Sequence, residues 1–152
     1  MPMLIAILHA AAFAAPALPV LNDAIQVERV ETDAYNLTVT YDVPSDLDAT
    51  ALILDQQADG DAYLVTVSSK RAQIARIAGG KQIDLASAKR ASGGDLTELT
   101  VCRRPGQVRV FAGAGLLIEA FDSTLVGGDC GSVAGDDIRQ PSDVYAQELG
   151  DI

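Results

Sequence analysis

The sequence predicts an all-β protein in which two antiparallel sheets pack as a sandwich. Three observations support this prediction. Short runs alternate between apolar and polar residues with a period of two, glycine- and aspartate-rich turns separate them, and no convincing helical periodicity follows the N-terminal segment. About ten short strands bounded by turn residues are typical of a β-sandwich or barrel.

Length and charge restrict the class of protein. A chain of 152 residues, 49% hydrophobic, can bury the core of one domain. Trp is absent and aromatic residues make up 5%, so the core must consist mainly of Val, Leu, Ile and Ala. The 21 acidic and 11 basic residues give a formal net charge of −10, which repels nucleic acids and anionic membrane surfaces. We therefore exclude nucleic acid as a partner.

The N-terminus, "MPMLIAILHAAAFAAPALPV", has the pattern of a secretory signal peptide. Its apolar run, Leu4 to Ala15, is too short to span a bilayer and ends in small residues and prolines. No Lys or Arg precedes the run, and a buried N-terminal helix is the alternative. We predict that residues 1–17 are removed, so that the protein is secreted, extracellular or periplasmic, without membrane insertion. The only histidine, His9, would leave with this leader.

The strands follow one another from Ala24 onward, and we predict a single sandwich domain over residues 24–149. In "YNLTVTYDV" every second residue from Tyr35 is apolar, which predicts one buried face. A helix competes with a strand for "QIDLASAKRA", and we favour the strand. The other predicted strands are Ala24–Val30, Ala51–Leu54, Tyr63–Val67, Gln73–Ile77, Thr97–Val101, Val108–Val110 and Leu116–Phe121.

The pieces "VRVF", "AGAG", "LLIEAFDSTL" and "GGDCGSV" resemble the late strands of concanavalin A-like sandwiches. These include laminin G-like domains and the jelly-roll domain of the 3-keto-disaccharide hydrolase family. The resemblance extends over nearly all of Ala24 to Leu149, and it implies recognition of a glycan or an extracellular protein. This chain departs from the family in lacking the tryptophan that is common near the strand at Leu96.

The sequence contains few candidate catalytic residues. Without His9 no imidazole remains for a nucleophile triad or a histidine-bearing zinc site. Glu119 and Asp122 are the nearest carboxylate pair, but the strand pattern places them on opposite faces. We therefore expect a protein that is not an enzyme.

Calcium is the cofactor that the turn aspartates suggest. Hard carboxylate oxygens are the ligands that Ca²⁺ requires, and the candidates are Asp59, Asp61, Asp122 and Asp129. The alternative is that these aspartates bind their own turn backbone.

Basic residues suggest a ligand surface. Lys70, Arg71 and Arg76 form a candidate site for an anionic glycan, and Arg103 with Arg104 forms a second basic cluster. The alternative is that these are solvated charges that discourage aggregation of strand edges.

The two cysteines, Cys102 and Cys130, could pair in an oxidising compartment. We predict an intramolecular disulfide, with links between chains as the rival.

The sequence thus favours a secreted, non-catalytic binding module for a glycan or a cell-surface ligand. A structural or self-assembling extracellular subunit is the alternative, and a carbohydrate-active hydrolase is the third candidate.

Overall fold

The computed structural model describes residues 27–41, 49–68, 70–90, 97–133 and 141–149. The predicted leader, residues 1–17 with His9, lies outside these ranges. The strands of the described part are β1 (Val27–Val30), β2 (Tyr35–Thr40), β3 (Thr50–Gln56), β4 (Ala62–Val67), β5 (Arg71–Ala78), β6 (Lys81–Lys89), β7 (Glu98–Arg104), β8 (Gln107–Ala112), β9 (Gly115–Phe121), β10 (Gly128–Ser132) and β11 (Asp143–Glu148).

The strands form two sheets. The six-stranded sheet has the order β1-β10-β3-β4-β5-β6, and the five-stranded sheet has the order β11-β2-β7-β8-β9. All neighbouring strands pair antiparallel. The chain passes from one sheet to the other after β1, β2, β6, β9 and β10, so the two layers are interwoven. The prediction of an all-β antiparallel sandwich is confirmed.

The main core lies between the sheets and follows the predicted alternation. Leu37 of β2 pairs with Val101 of β7, and both side chains are fully buried. Their neighbours Thr38 and Thr100 face away from the core and are partly exposed. Burial of an aliphatic side chain of this size contributes about 1.5–3 kcal/mol, so the alternation fixes which face of each strand points inward.

The central strand β3 is buried on both faces, as its unbroken apolar run predicted. Leu52 and Leu54 belong to the core between the sheets. Ile53 lies on the opposite face, in a second apolar cluster with Leu64 and Ile77 among others. The outer face of the six-stranded sheet is therefore apolar over β3 and β4.

A hairpin of β5 and β6 forms the edge of this sheet, and the helix alternative for "QIDLASAKRA" is wrong. Gly79 and Gly80 make the turn with φ values of 59° and 81°. Two consecutive positive φ values match the type I′ turn, whose twist suits a two-residue hairpin. Ala86 and Ala88 pack against the core while Ser87 between them is exposed, which is strand alternation.

The predicted disulfide between Cys102 and Cys130 does not form. Cys130 is fully buried in the core between the sheets. Cys102 lies on β7 between the inward-facing Val101 and Arg103, so its partly exposed side chain points to the outer face of the five-stranded sheet. The two thiols lie on opposite sides of one sheet, and this correction leaves a link between chains through Cys102 as a prediction.

A close approach of backbones requires glycine at the start of β10. Gly128 has a φ of 134°, and a Cβ there would lie 2.6 Å from the carbonyl oxygen of Gln56. The neighbouring Asp55 is the one non-glycine residue with positive φ, 53°, in the described part of the chain. Strained positions of this kind persist where surrounding contacts over-determine them, and Asp55 has such contacts.

Among the described residues, no helix has the length and apolar character needed to cross a membrane.

Candidate ligand-binding surface

A stripe of polar side chains runs along the outer face of β5 and β6. We define the β5–β6 polar stripe as Gln73, Gln82, Asp84 and Ser87. Gln73 lies between Ala72 and Ile74, both in the core, and therefore points outward. Its cross-strand partner Ser87 likewise lies between core-facing alanines. Because β6 is the edge strand, the stripe is open to solvent along much of its length.

Hydrogen bonds hold the stripe in one arrangement. The Gln73 side-chain amide donates to Oδ1 of Asp84 at 2.9 Å. The Gln82 amide donates to the same oxygen at 3.2 Å. At the other end Arg71 donates to the hydroxyl of Ser87. These planar groups and their remaining donors and acceptors are thus positioned before any ligand arrives.

Cations gather at the end of the stripe where β5 begins and β6 ends. We define the cationic end as Lys70, Arg71 and Lys89. Arg71 and Lys89 are direct cross-strand partners, and Lys70 precedes Arg71 in the β4–β5 turn. All three side chains are exposed. Two of the three predicted ligand-binding residues, Lys70 and Arg71, therefore lie together.

The third predicted residue, Arg76, lies elsewhere. Its cross-strand partner is Tyr63, which is buried in the core, so Arg76 is on the inner face. The Arg76 guanidinium forms an ion pair with Asp122 at 3.3 Å. Arg76 therefore lies on the opposite face of β5 from Arg71 and is not part of the cationic end.

The four aspartates predicted for calcium are not brought together. Asp59 accepts a hydrogen bond from the backbone N–H of Asp61, and Asp61 accepts one from that of Gly79. Asp129 pairs with Arg29 at 3.2 Å. No group of three or more metal-ligating side chains occurs in the described part of the chain. The contacts of Asp59 and Asp61 are bonds to backbone N–H groups, as the turn-forming alternative expects, and calcium binding stays a prediction.

Asp122 holds the end of β9 against the six-stranded sheet. It accepts hydrogen bonds from the Tyr63 hydroxyl at 2.5 Å and from the backbone N–H of Thr124 at 2.9 Å. Burial opposes ionisation of Asp122, but these bonds, together with Arg76, outweigh it and lower the pKa of the carboxyl. Burial, aided by Asp122, raises the pKa of Tyr63 to about 12. Glu119 lies on the outer face of β9, so it and Asp122 form no catalytic pair.

A buried ion pair that the sequence did not reveal joins the two sheets. Arg103 of β7 contacts Asp55 of β3 with Nε 2.9 Å from Oδ2, and both side chains are fully buried. The Tyr35 hydroxyl donates to the other oxygen of Asp55 at 2.6 Å. The Arg103 guanidinium also lies 5.2 Å from the ring centroid of Tyr63. The expectation that Arg103 is a solvated surface charge is therefore wrong.

Burial has the largest effect on the pKa values of Asp55 and Tyr35. It raises the pKa of Asp55, although hydrogen bonds from Tyr35 and Arg103 act in the opposite direction. Burial and the adjacent carboxyl also raise the pKa of Tyr35 far above its ordinary value. Since none of these atoms reaches solvent, the group is a structural link rather than a binding site.

The outer face of the five-stranded sheet carries a second exposed polar pair. Arg109 of β8 and Glu119 of β9 are cross-strand partners, with Nε 3.0 Å from Oε2. Beside them Phe121 is 69% exposed. Phe121 is two residues beyond Glu119 on β9 and therefore lies on the same outer face.

Comparison with known proteins identifies the fold. No protein-family model and no curated protein matches the sequence. Sheep galectin-11 in complex with glycerol is similar in structure, with a TM-score of 0.59 and 10% identity over 80% of this chain and 96% of that chain. A tetrameric galectin from the ball sponge Cinachyrella sp. has a TM-score of 0.56 and 16% identity, covering 82% and 95%. The carbohydrate-binding module CBM66 from Bacillus subtilis has a TM-score of 0.53 and 14% identity, covering 82% and 78%.

Identities this low carry a statement about the fold alone. The chain has the two-sheet jelly-roll sandwich of these proteins, a fold compatible with the concanavalin A-like resemblance of its sequence.

Proposed function

We propose that this protein is a non-catalytic carbohydrate-binding module whose ligand lies along the β5–β6 polar stripe. The observation that carries the proposal is the pair of glutamine amides, Gln73 and Gln82, that converge on Asp84. The side-chain amides donate and accept hydrogen bonds and the carboxylate accepts them, so together they match the donors and acceptors of sugar hydroxyls. Their position on paired strands keeps them rigid, which reduces the entropy lost on binding.

The fold supports this proposal by analogy. Similar solved structures include two galectins and a protein named as a carbohydrate-binding module. Fold alone does not determine function, so the argument depends on the stripe itself. The closer likeness to laminin G-like and hydrolase-type domains stays a prediction from the sequence.

A glycan array tests the function, and paired variants test the site. We expect the wild-type protein to bind a defined subset of glycans. Replacing Gln73 and Asp84 by alanine should weaken that binding by at least about tenfold, since two charge-assisted or amide hydrogen bonds are lost. Running the array with calcium and with a chelator tests the predicted calcium dependence in the same experiment.

The matched control is the exposed pair on the other sheet, Arg109 and Glu119, replaced by alanine. This double variant also removes a cross-strand polar pair, and we expect its glycan binding to match wild type. Loss of binding in the control alone would move the site to the surface around Phe121. Silence of the folded wild-type protein on all glycans would rule out the proposed function.

Export is part of the proposal. A leader over residues 1–17 would deliver the module to the cell exterior or periplasm, where free glycans and cell-surface glycans occur. The intact mass of the protein recovered outside the cytoplasm should lack those residues. A mass that retains them would contradict export by a cleaved leader.

Self-assembly is the second candidate function, and one exposed row of side chains favours it. Five successive cross-strand partners form a row across the whole five-stranded sheet: Tyr145, Thr38, Thr100, Phe111 and Leu116. Tyr145 and Leu116 at its two ends are 55% and 50% exposed. Light scattering at increasing protein concentration should detect assembly, which Tyr145→Ser with Leu116→Ser should abolish. A wild-type protein that stays monomeric at the highest concentration would exclude this candidate.

A further inference from the structure

We propose that the cationic end makes this site selective for glycans that carry an oxyanion, either a carboxylate or a sulfate. The inference rests on the proposed function and names its ligand class. Lys70, Arg71 and Lys89 would bind the oxyanion, and the β5–β6 polar stripe would bind the neutral part of the same oligosaccharide.

The first observation is a repulsive placement of charge. Arg71 and Lys89 are direct cross-strand partners on an exposed face. Like charges in this arrangement destabilise a sheet. The folded chain therefore carries a local cost that an anionic ligand bound between the two cations would remove.

The second observation is that these cations lack carboxylate partners. The described ion pairs use Arg29, Arg76, Arg103 and Arg109. Lys70, Arg71 and Lys89 take part in none of them, although the chain has 21 acidic residues against 11 basic ones. In so acidic a protein, three cations that the described carboxylates leave unpaired form a local positive field.

The third observation is that the backbone at the cationic end is held in place. The Ser68 hydroxyl accepts hydrogen bonds from the backbone N–H groups of Lys70, at 3.3 Å, and Arg71, at 3.2 Å. Arg90 joins the end of β6 to the same turn, since its guanidinium donates to the Ser68 carbonyl at 2.8 Å and its N–H to the Lys70 carbonyl at 2.9 Å. Arg71 can then present its planar guanidinium to a carboxylate or sulfate in two-pronged geometry.

The register of β5 and β6 places the cations at one end of the site and the Asp84 carboxylate at the other. From the row of Arg71 and Lys89 to the row that contains Asp84 is about 13 Å, at roughly 3.4 Å per residue along an antiparallel strand. Gln73 and Ser87 lie between these rows. Asp84 repels a second anion at the far end, so the preferred ligand has its oxyanion at one end and neutral sugar at the other.

The experiment compares three forms of one oligosaccharide: neutral, with a terminal uronate, and with a terminal sulfate. We expect wild-type protein to bind the two anionic forms at least about tenfold more tightly than the neutral form, a factor that one charged contact can supply. The preference should fall as salt is raised, because exposed charges are screened. The ratio of uronate to sulfate affinity distinguishes the two sources of the oxyanion.

Replacing Lys70, Arg71 and Lys89 by glutamine should reduce the affinity for the anionic forms to that for the neutral form. Lys81→Gln, which removes an exposed cation at the opposite end of β6, should keep the preference. Thermal unfolding checks that each variant is folded, and Arg71→Gln alone serves as a milder second variant.

The outcomes separate the two proposals. Equal affinity of wild type for all three forms overturns the oxyanion inference and leaves the carbohydrate-binding function standing. Absence of binding to any form, on the array or here, overturns both. Equal binding of DNA or of anionic vesicles at physiological salt overturns selectivity for glycans.

Discussion

Arg103 places a full positive charge between two sheets, and each of its three guanidinium nitrogens donates a hydrogen bond. Nε contacts Asp55, one terminal nitrogen donates to the carbonyls of Arg104 and Gln107, and the other donates to that of Leu125 at 2.6 Å. A buried charge is tolerated only with partners of this kind. The side chain therefore fixes how β3, β7 and the segment after β9 meet.

The alternation of β7 contained a signal for this position. Leu99 and Val101 alternate with polar residues and face inward, and Arg103 follows them on the same face. Two adjacent arginines, Arg103 and Arg104, are however more typical of a basic cluster on the surface, and this indicated exposure of both. The partner Asp55 is 48 residues away in sequence, at the end of an apolar strand, and no local pattern connects the two. Pairings of this range depend on the strand order, which the sequence did not provide.

Arg103→Gln should lower the free energy of unfolding by about 3–5 kcal/mol, because it leaves the Asp55 carboxylate buried without its counter-ion. The control is Arg109→Gln, which breaks an exposed ion pair and should cost at most about 1 kcal/mol. Urea denaturation followed by circular dichroism measures both. Similar losses in the two variants would show that the buried pair contributes no more than a surface pair.

The individual strands were largely predictable, and their pairing was not. Alternation identified the inward faces of β2, β7 and β8, because each of these strands has one face in the core and the other more exposed. The polar stripe could not be predicted from the sequence, because its members come from two strands and face solvent, where no hydrophobic pattern marks them. The cationic end was seen only in part, since Lys89 joins Arg71 through the register of a hairpin.

The two cysteines lie on opposite sides of the five-stranded sheet and therefore do not pair, and thiol labelling should show this difference in exposure. Cys102 lies on the outer face of β7 and should react with a maleimide in the native protein, whereas the buried Cys130 should react only after denaturation. Mass spectrometry without reductant should count one label per native chain and two per denatured chain. Cys102→Ser should abolish the native label.

Failure of both cysteines to react in denaturant would restore the intramolecular disulfide. A dimer on a non-reducing gel that Cys102→Ser removes would instead establish the link between chains. Either result is readable without knowledge of the ligand.

At the scale of the whole molecule, buried and partly buried polar contacts join the two layers beside the hydrophobic core. Asp55 of β3 meets Arg103 of β7, and Tyr63 and Arg76 of the six-stranded sheet meet Asp122 at the end of β9. The sequence composition predicted the aliphatic core correctly. It could not predict these contacts, because a single Asp after a strand is equally typical of a turn residue or a calcium ligand, and its partners Tyr63 and Arg76 are distant in sequence.

The pH dependence of stability tests the role of Asp122. Its pKa in the folded state is below the ordinary value of 3.8, so the unfolded chain binds the proton first. The stabilisation is therefore complete above about pH 5 and is lost as the pH falls through 3.8 toward the folded-state pKa. Asp122→Asn should destabilise the protein at pH 7 by about 1.5–3 kcal/mol, the range for hydrogen bonds to a charged group.

The difference between wild type and Asp122→Asn should shrink below pH 3.8, because the protonated aspartic acid then resembles the amide. Asp55, whose raised pKa acts in the opposite sense, is present in both proteins and cancels in the comparison. Denaturant unfolding at several pH values measures the difference. A gap that stays constant down to the most acidic pH at which wild type folds would mean that the charge of Asp122 does not hold the two sheets together, and that the side chain acts through its shape alone.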